Sequence, residues 1–484
     1  MNQTDIAYFS KRVDELLDGI DNGDFALDII PDKYTWEHLL GLFLLRESLD
    51  GAVDLFAQLY DLAIKSAEKY IKQKAESGKT IEVVFQSYSA AQWPAEGVYR
   101  KYENTPNVNA KILVSPLIDR NKESSIDSYK KTLNWYKENG YNVAEGLDPE
   151  TLKKPGWDEL GGYPDVLYQL SSWFTSLPSA QWFCKLPLRC LVAYIPYSIY
   201  LADNNDGSFA IQAIYNKEIV NLMWRVYCDS VYNLEGYKKY QLLGGKNARY
   251  SGYAKMDCFY AEEEFTDDDI RKIWKIPEGK NPKDIKKIII APHFSIFDEG
   301  AILLSTFKKN AWFWLYLAEK YKDEVSFIFK PHPNLRWSSV ENKLFSSYEA
   351  YDEYISKWDD LVNGKAVQEA DYLEIFKTSD AMIMDSGSFL GEYLYTGKPL
   401  LFLTRPEQRF MAIGQRVVDS YYKTPGENYS EIEDFIKNVV LEGNDTMKDC
   451  REKVFRDEFD YKKNNGMTAC EYICDEIFDL IRSK

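Results

Sequence analysis

The spacing of apolar residues changes once along the chain. Up to about residue 78 they recur at helical intervals. Ala52, Leu55, Phe56, Leu59, Tyr60 and Ile64 form a stripe at i, i+3, i+4 spacing, and Leu39, Leu40, Leu42, Leu44 and Leu45 form a patch. This predicts a helical N-terminal extension over residues 1–78, either a bundle packed on the next domain or a platform for a partner. From Thr80 short apolar runs alternate with helical stretches. Strands are expected over 81–85, 110–113, 141–143, 165–168, 190–195 and 224–228, and helices over 95–102, 130–139 and 233–243. Residues 261–286 are charged and turn-rich and open a second series. Its strands fall at 287–291, 325–329, 381–384 and 399–403, and its helices at 310–321, 348–358, 370–377, 430–441 and 470–482. Two such series predict an α/β chain with two Rossmann-like domains, over 79–260 and 261–484, the second with closing C-terminal helices. Ligands of open α/β sheets bind beyond the carboxyl ends of the strands, so the residues just after each strand matter most.

The stretch from Ser379 to Leu403 is the most informative. Ala381–Met384 reads as a buried strand, and Asp385-Ser386-Gly387-Ser388 as a turn. Phe389, Leu390, Tyr393 and Leu394 follow at helical spacing, Gly397 stands where a C-cap belongs, and Pro399 blocks further helix. This is a βαβ unit. Ser386, Gly387 and Ser388 then offer backbone N–H groups and hydroxyls at a helix start, which suits a phosphate. An ordinary capped βα turn would carry the same residues. Asp385 could orient the turn serines instead of touching a ligand. Glu392, one helical turn after Ser388, has two acceptor oxygens that suit a ribose diol; an exposed helix glutamate would look the same.

The chain has three histidines, His38, His293 and His332. His293 follows the apolar run 288–291 through Pro292, and His332 follows 327–329 between Pro331 and Pro333. Proline stiffens both turns and holds each imidazole in place for acid, base or phosphate-donor chemistry. Lys330 adds a positive charge near His332. Lys330, His332 and the 386–388 turn are therefore expected to converge on a phosphate or diphosphate. Arg336 and Arg405 are weaker cationic candidates. His38 lies in a helical stretch with no chemistry around it and is expected to be structural.

Composition narrows the reading. A net charge of −17 disfavours nucleic acid and broad attraction to an anionic membrane. The seven cysteines are scattered without CxxC pairs, against a zinc site or disulfide framework, so no metal is expected. Reduced thiols, an N-terminus without a signal-peptide core and no run of membrane-span length suggest a cytoplasmic protein.

FKPHP at 329–333 and SDAMIMDSGSFLGEYLYTGKP at 379–399 resemble the CDP-glycerol glycerophosphotransferase family of teichoic-acid and capsule polymerases. IIIAPHFSI at 288–296 and YSGYAKMD at 250–257 are similar to further motifs of that family. The resemblance implies a glycosyltransferase-B-like fold, with an N-terminal acceptor domain and a C-terminal nucleotide-donor domain. It implies attack of an acceptor hydroxyl on the β-phosphorus of a CDP-activated polyol phosphate, releasing CMP and using no cofactor. His332, with Ser386 and Ser388, would hold the diphosphate. The acceptor would be polymer or lipid-linked, which leaves room for peripheral association at the inner membrane face. One departure stands out: the family's N-domain tryptophan-histidine-glycine motif corresponds here to 192–198, with no histidine from 39 to 292. The base is then expected to be His293, with Tyr197 or a carboxylate as alternatives. The departure also motivates two other readings, a nucleotide-sugar glycosyltransferase and a non-catalytic subunit of a polymer-assembly complex.

Overall fold

A computed structural model describes residues 3–26, 29–119, 121–203, 210–368 and 372–482; the side chain of Ser388 lies outside what is described. The chain divides into two compact units. One holds residues 1–198, 211–257 and 461–484, the other 199–210 and 258–460.

The first unit is built on seven parallel strands: β1 (Ile81–Ser87), β2 (Val108–Val114), β3 (Val143–Glu145), β4 (Val166–Gln169), β5 (Leu191–Tyr194), β6 (Arg225–Cys228) and β7 (Ala248–Tyr250). Their order is β3-β2-β1-β4-β5-β6-β7. The N-terminal extension is helical as expected, with helices Gln3–Asp21, Trp36–Leu44 and Ala52–Glu76. His38 sits in the second, its Nδ1 taking the Thr35 backbone N–H at 3.1 Å and its Nε2 3.3 Å from Glu15.

The second unit holds β8 (Lys286–Ala291), β9 (Val325–Phe329), β10 (Gly364–Ala366), β11 (Ala381–Met384), β12 (Leu400–Thr404) and β13 (Tyr422–Pro425). All pair in parallel, in the order β10-β9-β8-β11-β12-β13. β9 and β11 are buried along their whole length, the pattern of strands covered on both faces. Phe329 stacks on Trp358 at 4.9 Å, and each such buried ring contributes about 1.5–3 kcal/mol.

Several boundaries differ from the sequence reading. β7, β10 and β13 were not expected; they span only three or four residues each, too few to show a period. The helix expected from 130 begins at Lys122, because Asn121 caps it by accepting the Ser124 N–H. The helix after β11 is α-helical only over Ser388–Glu392 and tightens to a 3-10 turn over Tyr393–Thr396, ending at Gly397 with φ 67°. Ala370, expected to begin a helix, lies outside the described residues; that helix spans Leu373–Thr378. The last helix, Ala469–Ile481, was expected to close the C-terminal domain but packs in the first unit instead. Phe478 meets Tyr102 edge-on at 5.6 Å, and Asp257 takes the Ala469 and Cys470 N–H groups at 3.0 and 2.8 Å. A cap supplied from residue 257 and an apolar face matched to the first unit decide where this helix goes. No described helix is long and apolar enough to cross a membrane.

Candidate active site

The strand order of the second unit reverses between β8 and β11, the position where such sheets bind ligands. His293 follows β8, Lys330 and His332 follow β9, and Asp385 to Gly387 follow β11. The sheet ladder continues into these turns. Lys330 donates its N–H to the Ile290 carbonyl at 2.8 Å, and His332 donates to the Pro292 carbonyl at 3.1 Å. These bonds bring the two imidazoles together, with ring centroids 5.1 Å apart. Phe294 packs against both, at 4.4 and 4.6 Å.

The two rings share one device. His293 Nδ1 receives the Ser295 backbone N–H at 3.2 Å, and His332 Nδ1 receives the Asn334 backbone N–H at 3.1 Å. A backbone N–H can only donate, so both Nδ1 atoms accept and each ring proton sits on Nε2. The Ser295 hydroxyl lies 2.7 Å from His293 Nδ1 and in turn accepts the Leu304 N–H at 2.9 Å. Among the described residues neither Nε2 has a partner. Burial, and then His332, hold His293 well below its ordinary pKa. Burial and Lys330 pull His332 down to about 4. Both rings are therefore neutral N–H donors near pH 7.

Asp385 is buried and fastens the site from beneath. It accepts the His293 N–H at 2.6 Å, the Thr306 N–H at 2.5 Å, the Thr306 hydroxyl at 2.9 Å and the Ser305 hydroxyl at 3.2 Å. Burial pushes its pKa up to about 6 against the pull of those bonds. It orients the loops after β8 rather than the turn serines that the sequence suggested as its partners. Ser305 and Thr306, which sequence reasoning missed, complete the clamp. Ser295 was missed too; its signal was a polar residue two places after a histidine, the spacing that recurs at Asn334.

Lys330 is buried, its ammonium 5.7 Å from the centroid of the Tyr372 ring. Tyr372 donates its hydroxyl to Glu392 at 2.5 Å. Glu392 is therefore buried rather than exposed on its helix. Ser386 is buried beside Asp385. Arg405 donates to the Phe297 and Ser305 carbonyls at 3.2 and 3.1 Å and so braces the loop after β8. Arg336 forms a two-pronged pair with Asp352 at 2.7 and 2.6 Å on the exposed surface.

In the first unit Tyr197 follows β5, held by the Tyr253 hydroxyl donating to its carbonyl at 2.6 Å. Burial raises its pKa, with the Trp173 indole N–H on its hydroxyl opposing. A tyrosine so shifted is not a base near neutral pH.

Two units each with a parallel Rossmann-type sheet define a glycosyltransferase-B-like α/β fold. The chain belongs to the CDP-Glycerol:Poly(glycerophosphate) glycerophosphotransferase family, whose pattern it matches over residues 237–479. Among solved structures it is similar to the wall teichoic acid polymerase TagF, at 14% identity over 90% of this chain and 97% of that one, with a TM-score of 0.53. A variant of that polymerase matches at 12% identity over 86% and 93% of the two chains, with a TM-score of 0.52. A TagF variant soaked with CDPG gives 14% identity, the same coverages and a TM-score of 0.52. At these identities the likeness is one of fold. No curated protein matches the sequence. The chain is thus a glycerophosphotransferase-type enzyme acting with a CDP-linked donor on a polymer acceptor.

Proposed function

We propose that the second unit holds the donor diphosphate between the two imidazole N–H groups and the Lys330 ammonium. The acceptor hydroxyl oxygen attacks the β-phosphorus of the CDP-linked polyol phosphate, the bond from that phosphorus to the CMP oxygen breaks, and CMP leaves with the electron pair. Such transfer depends on positioning and charge stabilisation. Neutral donors aimed at the leaving phosphate serve this, and Lys330 balances the charge that develops there. We read His293 as a donor rather than the expected base, because its Nδ1 is committed to Ser295 and its Nε2 carries the proton. A loose transition state asks little of a base: the acceptor proton leaves late and passes to the phosphate of the departing CMP or to water. In this reading Ser386, Gly387 and Ser388 border the phosphates and Glu392, set by Tyr372, faces the nucleoside. No cofactor enters the scheme. The observation that supports it best is the pair of rings 5.1 Å apart, each fixed as an Nε2–H donor by the same backbone contact. Incubation with CDP-glycerol or CDP-ribitol and a polyol-phosphate acceptor tests it: CMP should appear, and the absence of both CMP release and donor binding would refute it.

The absence of histidine from 39 to 292 keeps a second reading in play, sugar transfer from a nucleotide sugar. A thermal-shift panel separates the two, because stabilisation by uridine rather than cytidine diphosphates would favour it.

A further inference from the structure

Beyond the strands of the first unit lies one lysine whose surroundings differ from those of several other partly or fully buried lysines. Lys74, Lys185, Lys287 and Lys377 each reach a carboxylate, at 2.6, 2.7, 3.6 and 2.5 Å. Lys398 donates to the Phe376 and Lys377 carbonyls at a helix end. Lys217, half-buried, has no carboxylate within ion-pair distance among the described residues. Its ammonium rests 3.7 Å from the centroid of the Trp173 ring. Trp173 follows β4 and is 38% exposed, and its indole N–H is tied to the hydroxyl of Tyr197, which follows β5. Ser171 accepts the Trp173 backbone N–H at 3.1 Å and fixes the turn. Lysine, tryptophan and tyrosine thus form one rigid group beyond the carboxyl ends of β4 and β5.

An aromatic face compensates part of the cost of drawing an ammonium from water, about 0.5–2 kcal/mol, but does not neutralise it. Burial accordingly pulls Lys217 below the ordinary lysine range, and the adjacent Glu218 only partly restores it. A half-buried lysine with no carboxylate within ion-pair distance among the described residues is suited to an anionic ligand. The indole covers one side of the ammonium, and among the described residues the ammonium's other donors meet no acceptor within hydrogen-bond distance. A compact ammonium on a flexible stem suits a phosphate oxygen.

We infer that Lys217, seated on Trp173, binds a phosphate group of the acceptor chain. This rests on the reading of the protein as a polyol-phosphate transferase with a polymeric acceptor. Lys217 would be a binding residue for acceptors that already carry phosphate, and indifferent to neutral ones.

Direct binding, without donor or turnover, tests it. Titration calorimetry would compare a short glycerol phosphate oligomer, a neutral polyol of equal length, inorganic phosphate and CDP-glycerol on wild type, Lys217→Met and Lys217→Arg, with melting temperatures as the folding control. Lys217→Met should weaken the phosphate oligomer about tenfold or more, Lys217→Arg should retain most of the affinity, and CDP-glycerol should bind all three alike. Inorganic phosphate should bind more weakly than the oligomer but lose affinity in the same variant. Equal oligomer binding by wild type and Lys217→Met, no oligomer binding by wild type, or equal losses for neutral and phosphorylated ligands would overturn it. Release of CMP from CDP-glycerol is scored separately, so failure of the transferase reading shows as absent turnover whatever Lys217 does.

Discussion

Both sheets place their first four strands in the same order, and each reverses between its first and fourth strand, but the two switch points end differently. In the first unit Gln86 of β1 and Gln169 of β4 stand side by side in register. Gln169 donates its amide to Gln86, which donates to the Ser115 hydroxyl and the Gln181 carbonyl at 3.0 Å each. Gln181 donates onward to the Gly146 and Pro155 carbonyls at 2.7 and 3.0 Å. These amides spend their donors on one another, on a hydroxyl and on backbone carbonyls. In the second unit the turns just beyond the corresponding strands hold His293 and Asp385. There the carboxylate absorbs the backbone and hydroxyl donors, the Nδ1 atoms absorb two more, and the Nε2–H groups are left over. Topology supplies equivalent positions; whether a position becomes a site depends on which polar groups the protein leaves unspent.

The sharpest way to break this contrast is to remove the unspent donors. His332→Ala and His293→Ala should each lower the rate of CMP release by about 100- to 1,000-fold, the cost of losing one preorganised donor, with the melting transition nearly unchanged. Glutamine at either position, which restores an N–H, should recover part of the loss. Asp385→Ala attacks the clamp rather than the donors. It orphans the backbone N–H groups of His293 and Thr306, at about 1–3 kcal/mol each, and urea unfolding should show the loss.

Acidification probes the clamp without mutation. Asp385 becomes protonated as pH falls through about 6, whereas His332 is not charged until about 4. Donor affinity should therefore drop about tenfold between pH 7 and 5, tracking Asp385, and Asp385→Asn should flatten that dependence. The contributions to stability run in opposite directions. The depressed pKa of His332 favours folding above pH 6.5, an advantage lost as pH falls towards 4; the raised pKa of Asp385 favours folding at low pH, an advantage lost as pH rises through 6. The smallest effect is expected in the first unit: Gln169→Leu should cost about 1 kcal/mol in stability and leave CDP-glycerol affinity unchanged.

The sequence made the strand ends of the second unit legible because its central strands are unbroken apolar runs and prolines mark where they stop. The proximity of His293 and His332 followed from adjacent strands, and Asp385 stood in the right turn. Its partners did not show. Ser305 and Thr306 lie 80 and 79 residues away and reach Asp385 only through the fold. The tautomer of each ring was equally hidden, because it depends on where a backbone N–H two residues on comes to lie. The short edge strands carry too few residues for a period. The last helix was misassigned because periodicity reveals an apolar face but not which sheet will cover it.

Histidine ring NMR tests the central claim most directly, since the chain has only three histidines to resolve. With ring nitrogens labelled, His293 and His332 should both appear at pH 7 as neutral Nε2–H tautomers, titrate well below 6.5, and shift at Nε2 when CDP-glycerol is added, while His38 stays unmoved. An Nδ1–H tautomer at either ring, titration near 6.5, or Nε2 signals indifferent to the donor would contradict the account.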